Sequence, residues 1–301
     1  MKKCTASLFV VSLLCPLMLH ARAEGHFDRT LQVSGAVSLD LTTGSGDVTI
    51  KAGSGNQVVI HGRISSSQGW FSNSDNAIHQ VESNPPIQQN GNSIRVGYDL
   101  PDDVKRHVSI SYDIVVPADT TVQAHSGSGN LDIAGVRSAV DGQTGSGDIR
   151  LRDLGKVHVH TGSGGIRAQN VAAPFYAHTG SGDVEAELTG AGDVDVQTGS
   201  GSVQLNGVKG ALHARTGSGG IKAEGAVGGS WQLHTGSGNV HLAFASGSGF
   251  NLSVHTGSGG IHSDLPITVQ GSFGRHELKG SVRGGGPEVE VSTGSGDVEI
   301  R

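Results

Sequence analysis

The sequence predicts an all-β protein, a parallel β-solenoid of two-strand coils about 18 residues long. Three observations predict it. A Thr/Ser-Gly-Ser-Gly tetrapeptide recurs, period-two alternation flanks it, and glycine fills 49 of 301 positions while aromatics make up only 4%. Few large rings and many tight corners fit a thin core. Glycine does not recur at every third residue, which excludes collagen.

The tetrapeptide starts at Thr43, Ser126, Thr144, Thr161, Thr179, Thr198, Thr216, Thr235, Thr256 and Thr293. From Ser126 the steps are 18, 17, 18, 19, 18, 19, 21 and 37 residues. The last step is near two periods, so one repeat is expected to have lost its signature near Phe273. The period is too short for ankyrin or tetratricopeptide units, and no stretch shows sustained helical spacing.

Strands are read on both sides of each turn. Ile149-Arg150-Leu151 and Ile221-Lys222-Ala223 follow it; Val157-His158-Val159-His160 and Val194-Asp195-Val196-Gln197 precede it. One face is apolar and one polar. A single coil cannot bury its apolar face, but stacked coils can. The inward column after the turn is then Val48, Leu131, Ile149, Ile166, Val184, Val203, Ile221, Val240, Ile261 and Val298. It is almost wholly β-branched, as a buried strand should be.

Four segments follow. Residues 1–23 read as a signal peptide, with Lys2 and Lys3 before an apolar run and cleavage expected between Ala23 and Glu24. Residues 24–61 hold the first solenoid coil or coils. Residues 62–116 break the period and read as an insertion or cap with short strands. Residues 117–301 carry the β-solenoid repeats. Gly284-Gly285-Gly286-Pro287 marks an irregular stretch near the end.

Both cysteines, Cys4 and Cys15, lie in the leader, so the mature chain has no disulfide, thiol nucleophile or Cys-ligated metal. The formal charge is −6; without Lys2, Lys3 and Arg22, 18 basic residues face 27 acidic ones, a net −9. The charges are interspersed. No nucleic-acid partner is expected, and no later segment is long and apolar enough to be transmembrane.

The chain resembles a bacterial family of uncharacterised β-strand-repeat proteins, a domain of unknown function labelled "putative adhesin". The resemblance rests on Tyr112-Asp113-Ile114-Val115-Val116-Pro117, on Val122 to Leu131, on the iterated Thr-Gly-Ser-Gly-Asp-Val, and on the closing Gly284 to Ile300. It implies a solenoid-like fold and an envelope or secreted location. It brings no functional residues with it.

The Gly-Ser-Gly-Asp motif bears on several chemistries. A phosphate loop needs a helix after the glycines, and none is expected. A calcium β-roll needs an oxygen ligand in adjacent turns, but the position after Gly-Ser-Gly is Asp148, Gly165, Asp183, Ser202, Gly220, Asn239 and Gly260. The expected role is a tight corner, with glycine at positive φ and Asp or Asn bonding its own backbone. Threonine ladders are expected to satisfy backbone groups rather than to build a flat ice-binding face.

Fifteen histidines are present, and His125, His160, His178, His234 and His255 share the register just before the turn. His160 with His178, and His234 with His255, are expected to stack on adjacent coils, as are His241 and His262. Such pairs are the speculative metal ligands; no catalytic, cofactor-binding or dedicated metal residue is assigned. The outward column after the turn juxtaposes no two carboxylates, and no nucleophile elbow occurs, so no enzyme is expected.

The reading is an exported, non-enzymatic, adhesin-like binding protein of the cell envelope (periplasm, cell surface or secreted). Its partner would be a glycan or another envelope protein. The alternatives are an envelope-stress or signalling accessory scaffold and, third, a carbohydrate-active enzyme on a β-helix.

Overall fold

The computed structural model describes residues 24–66, 74–269 and 274–301. Residues 1–23, read above as a signal peptide, and Phe273 lie outside the described residues; the first described strand is Glu24–Gln32. Two sheets of 13 and 14 strands face each other, and the core lies between them. Each coil places one strand in the larger sheet, turns through Thr-Gly-Ser-Gly, and places the next in the smaller sheet. The solenoid expectation holds.

Register is strict. Thr144, Thr161, Thr179, Thr198, Thr216 and Thr235 pair in sequence along one column. Ile149, Ile166, Val184, Val203, Ile221 and Val240 do the same across the corner. All six are at most 2% exposed. Alternation in sequence thus becomes a continuous dry seam. Late in the chain three aromatics, Trp231, Phe244 and Phe250, stack with centroids 5.3 and 4.3 Å apart.

Chain order and stacking order differ at both ends. The consecutive coils 231–244 and 250–263 do not touch through their ladders. The last coil lies between them, pairing Trp231–Ser237 with Glu288–Ser295 and that strand with Phe250–Ser258. In the smaller sheet Val298–Ile300 pairs on both sides as well. At the other end, Ser38–Thr43 lies between Ser93–Val96 and Thr121–Ser126, and Val48–Gly53 between Val108–Pro117 and Leu131–Ala134.

This corrects three expectations. The 37-residue step holds no lost coil, because Ile267–Val269 and Glu277–Val282 extend the larger sheet antiparallel, as a cap on Phe250–Ser258. His234 and His255 are not neighbours: both pair with Ser292. His241 and His262 are not neighbours either: both pair with Glu299. Repeat spacing sets the column but not the order along it.

The segment after Gly62 contributes the last parallel coil at this end, in which α2 replaces the short corner between Ser93–Val96 and Val108–Pro117, and antiparallel strands Gln57–Ser66, Glu24–Gln32 and Ile87–Asn90 lie outside it, with α1 before Ile87. α1 spans Ser74–Ser83 and α2 spans Asp102–His107. The helices were not expected, because Asn73-Ser74-Asp75-Asn76 also reads as a turn. Ala77, Ile78 and Val81 of α1 are buried. Gly25 makes room for them, since a Cβ there would lie 2.4 Å from Ile78 Cγ2. Glu82 Oε1 accepts from the His26 backbone N–H at 3.1 Å, blunting the exposed edge strand. Strands Gln57–Ser66 and Val108–Pro117 run across the 61/62 and 116/117 positions suggested as boundaries.

Candidate functional site

The corners were the first candidates, and their chemistry is internal. Thr161 Oγ1 donates to the Gly147 carbonyl at 2.9 Å and accepts from Gly164 N–H at 3.1 Å. Thr179 repeats this with Gly164 O at 2.8 Å and Gly182 N–H at 3.1 Å. The hydroxyl column therefore stitches each corner to the one before it. Among the described residues only the Tyr112 hydroxyl is a buried side-chain polar atom without a hydrogen bond. Replacing Thr179 by Val leaves Gly182 N–H and Gly164 O unpaired, at about 1–3 kcal/mol each. Urea unfolding is expected to show the lower midpoint, and an unchanged midpoint would remove the ladder from the stability argument.

Two corner expectations need correction. None of the Thr-Gly-Ser-Gly glycines takes a positive φ. Their role is close approach: a Cβ on Gly164 would sit 1.9 Å from the Gly147 carbonyl oxygen. Nor does the following Asp or Asn bond its own backbone. Asp148 Oδ1 accepts from the next coil's Gly165 N–H at 3.0 Å, Asp183 Oδ1 from Ser202 N–H at 2.7 Å, and Asn239 Oδ1 from Asp297 N–H at 2.9 Å. These side-chain oxygens cap neighbouring amides in a ladder broken wherever glycine intervenes.

The outer face of the smaller sheet is largely self-paired. Arg152 meets Asp132 at 2.9 Å, Arg167 meets Glu185 at 2.8 Å, and Lys222 meets Glu224 at 3.0 Å. Glu299, inserted between the two histidines, accepts from Arg301 and from His241 Nδ1 at 2.9 Å. Those hydrogen bonds hold its carboxyl below the usual carboxylate range.

The outer face of the larger sheet differs. Its two outward columns carry His125, Asp141, Gln143, His158, His160, Tyr176, His178, Asp195, Gln197, His213 and Arg215. The His160 and His178 rings stack at 5.0 Å, tilted by 39°. His158 lies edge-on to Tyr176 at 6.4 Å. Tyr176 is 40% exposed, one of three exposed large apolar residues among those described. A shallow depression of about 220 Å³ is lined by His158, Tyr176, His178, Asp195 and Gln197 among others.

Of the speculative metal ligands, only His160 and His178 come together. No group of three metal-ligating side chains is found among the described residues. Two imidazoles without a third ligand hold zinc weakly. Titration of residues 24–301 with equimolar Zn²⁺ is expected to show no stoichiometric uptake. Tight uptake that disappears in a His160→Ala/His178→Ala variant would overturn that expectation.

Asp141, Tyr176, Asp195 and His213 were not singled out from the sequence. The signal was present, since Asp-x-Gln occurs at 141–143 and again at 195–197 in one register, with Tyr176 between.

A two-sheet parallel stack with a threonine-stitched corner defines the chain as a β-solenoid repeat protein. It belongs to the Toastrack DUF4097 family, whose model matches residues 36–301. Among curated proteins none matches. Solved structures give distant likenesses. One is described as a putative cell adhesion protein from Clostridium sporogenes, with 13% identity, TM-score 0.24, and coverage of 92% of this chain and 99% of that one. Another is described as a putative adhesin from Bacteroides fragilis, with 11% identity, TM-score 0.37, and coverage of 92% and 97%. A third, described in the same words, is from Parabacteroides distasonis, with 9% identity, TM-score 0.35, and coverage of 92% and 97%. No helix among the described residues is long and apolar enough to cross a membrane.

Proposed function

We propose that this protein is an exported, non-enzymatic, adhesin-like binding protein of the cell envelope. The outer face of its larger sheet would be the binding surface. The observation that carries this reading is the asymmetry between the two outer faces. On one the charges are closed in Arg–carboxylate pairs, while on the other the carboxylates bond imidazole and amide groups and Tyr176, the stacked His160 and His178 rings and Arg215 face solvent. A rigid sheet holds such side chains in fixed columns, so little order is lost when a partner docks.

Export rests on the Ala23/Glu24 cleavage motif and on the lack of cysteine beyond it. Fractionation of cells expressing the full chain tests the location. Binding of residues 24–301 to isolated envelopes tests the face. His160→Ser/His178→Ser/Arg215→Ser is expected to weaken binding, and Arg152→Ser/Arg167→Ser on the other sheet to leave it unchanged. Equal loss from both sets, or no envelope binding by the parent chain, would sink the reading.

A further inference from the structure

The Tyr176 region is built symmetrically, and its chemistry narrows the partner. On one side Asp141 accepts from Gln143 Nε2 at 3.3 Å and from His158 Nδ1 at 2.9 Å. On the other Asp195 accepts from Gln197 Nε2 at 3.0 Å and from His213 Nδ1 at 3.2 Å. The two triads repeat one arrangement three coils apart, about 14 Å at the usual strand spacing. Tyr176 lies between them in the same outward column, flanked by His158 and Asp195.

Each group in this array is held by another. A carboxylate oxygen only accepts, so Nδ1 carries the proton on His158 and His213, and each Nε2 lies outside that bond. Each carboxylate keeps spare lone pairs beyond the two bonds it accepts, and each Gln keeps its carbonyl. The Tyr176 ring offers an apolar face and a hydroxyl. The surface therefore alternates planar hydrogen-bonding groups with one exposed ring, all at low cost in side-chain entropy.

Charge selects further. Asp141 and Asp195 oppose an anion, while Arg215 opposes a cation. The matching partner is neutral, rich in both donors and acceptors, and has an apolar face to lie on the ring.

We infer that this surface binds a short neutral oligosaccharide, one sugar ring lying over Tyr176 and its neighbours hydrogen-bonded by the Asp141 and Asp195 triads. The inference rests on the binding-face reading above and names its ligand.

The test uses residues 24–301 and a panel of maltotriose, cellotriose, chitotriose and mannotriose, with spermine and heparin as charged controls. Calorimetry or saturation-transfer NMR is expected to find saturable binding of at least one trisaccharide. Tyr176→Ala should weaken it about tenfold or more, Tyr176→Trp should retain it, and neither should move the melting temperature, because the ring is exposed. Asp141→Asn/Asp195→Asn should also weaken it. No trisaccharide binding, binding indifferent to Tyr176→Ala, or preference for spermine or heparin overturns the inference. Envelope binding that persists in Tyr176→Ala overturns the sugar site while leaving the binding face standing. Loss of envelope binding by the parent chain removes both.

Discussion

Ile166→Asp and Ile221→Asp are each expected to abolish soluble expression or the cooperative melting transition. Ile166 is 2% exposed and Ile221 is 1% exposed, and each sits mid-column between other apolar residues. An uncompensated charge buried there costs about 3–5 kcal/mol before the lost apolar burial is added. That is comparable with the whole stability of a typical domain, about 5–15 kcal/mol. The position in the stack sharpens the effect. Each coil is stabilised only by its neighbours, so a defect in the middle separates two half-stacks rather than fraying an end. The control is Arg167→Asp, one residue along and outward. It replaces the exposed pair with Glu185 by a like-charge neighbour and places Asp opposite Arg150, exposed exchanges that together cost about 0–1 kcal/mol. If Ile166→Asp melts like the parent chain, the facing of every strand is wrong.

The alternation that fixes this facing was fully legible in the sequence. Period two is a local property, and each strand displays it in four to six residues. The corners were legible in position but not in physics. Glycine is required there by the carbonyl of the coil beneath, a contact between residues about one period apart. The same holds for Asp148 and Asp183, whose partners are amides in the next coil. Sequence reasoning supplies a turn's own residues readily and its stacking neighbours only through register. The order of coils was not legible at all. Thr235, Thr256 and Thr293 carry the same signature and would stack equally well in either order, so the choice lies in the connections between coils. The binding surface was half legible, because the columns follow from register while the symmetric triads need side-chain geometry.

The out-of-order coils yield the second strong expectation. Pairs of cysteines are expected to cross-link according to stacking order, and a chain ending at Pro287 is expected to lose the C-terminal end of the stack beyond Phe244. Neighbouring strands lie about 4.8 Å apart, within disulfide reach, while two steps of about 9.6 Å lie beyond it. His234→Cys/Ser292→Cys and His255→Cys/Ser292→Cys should therefore form disulfides, and His234→Cys/His255→Cys should not. No native cysteine lies beyond Cys15 to confuse the result. A disulfide in the third variant would restore simple sequential stacking and refute the inserted coil. The truncation reports the energetics. Val289, Val291, Val298 and Ile300 are at most 1% exposed, and their burial contributes on the order of 6–12 kcal/mol gross. Were the last coil an ordinary end, its removal would leave 231–263 intact. Because it is clamped on both faces, its loss parts the coil 250–263 and its antiparallel cap from the rest. Limited proteolysis should then release 250–282 while the stack up to Phe244 resists. At the opposite end Ser38–Gly53 is clamped in the same way between coils 93–117 and 121–134. At the C-terminal end the outer edge of the stack is therefore not the last coil of the chain. A solenoid ordinarily frays from its termini, where each coil has only one neighbour. Here the C-terminal coil cannot leave until its outer neighbour does, and that neighbour is held by the chain on either side of it.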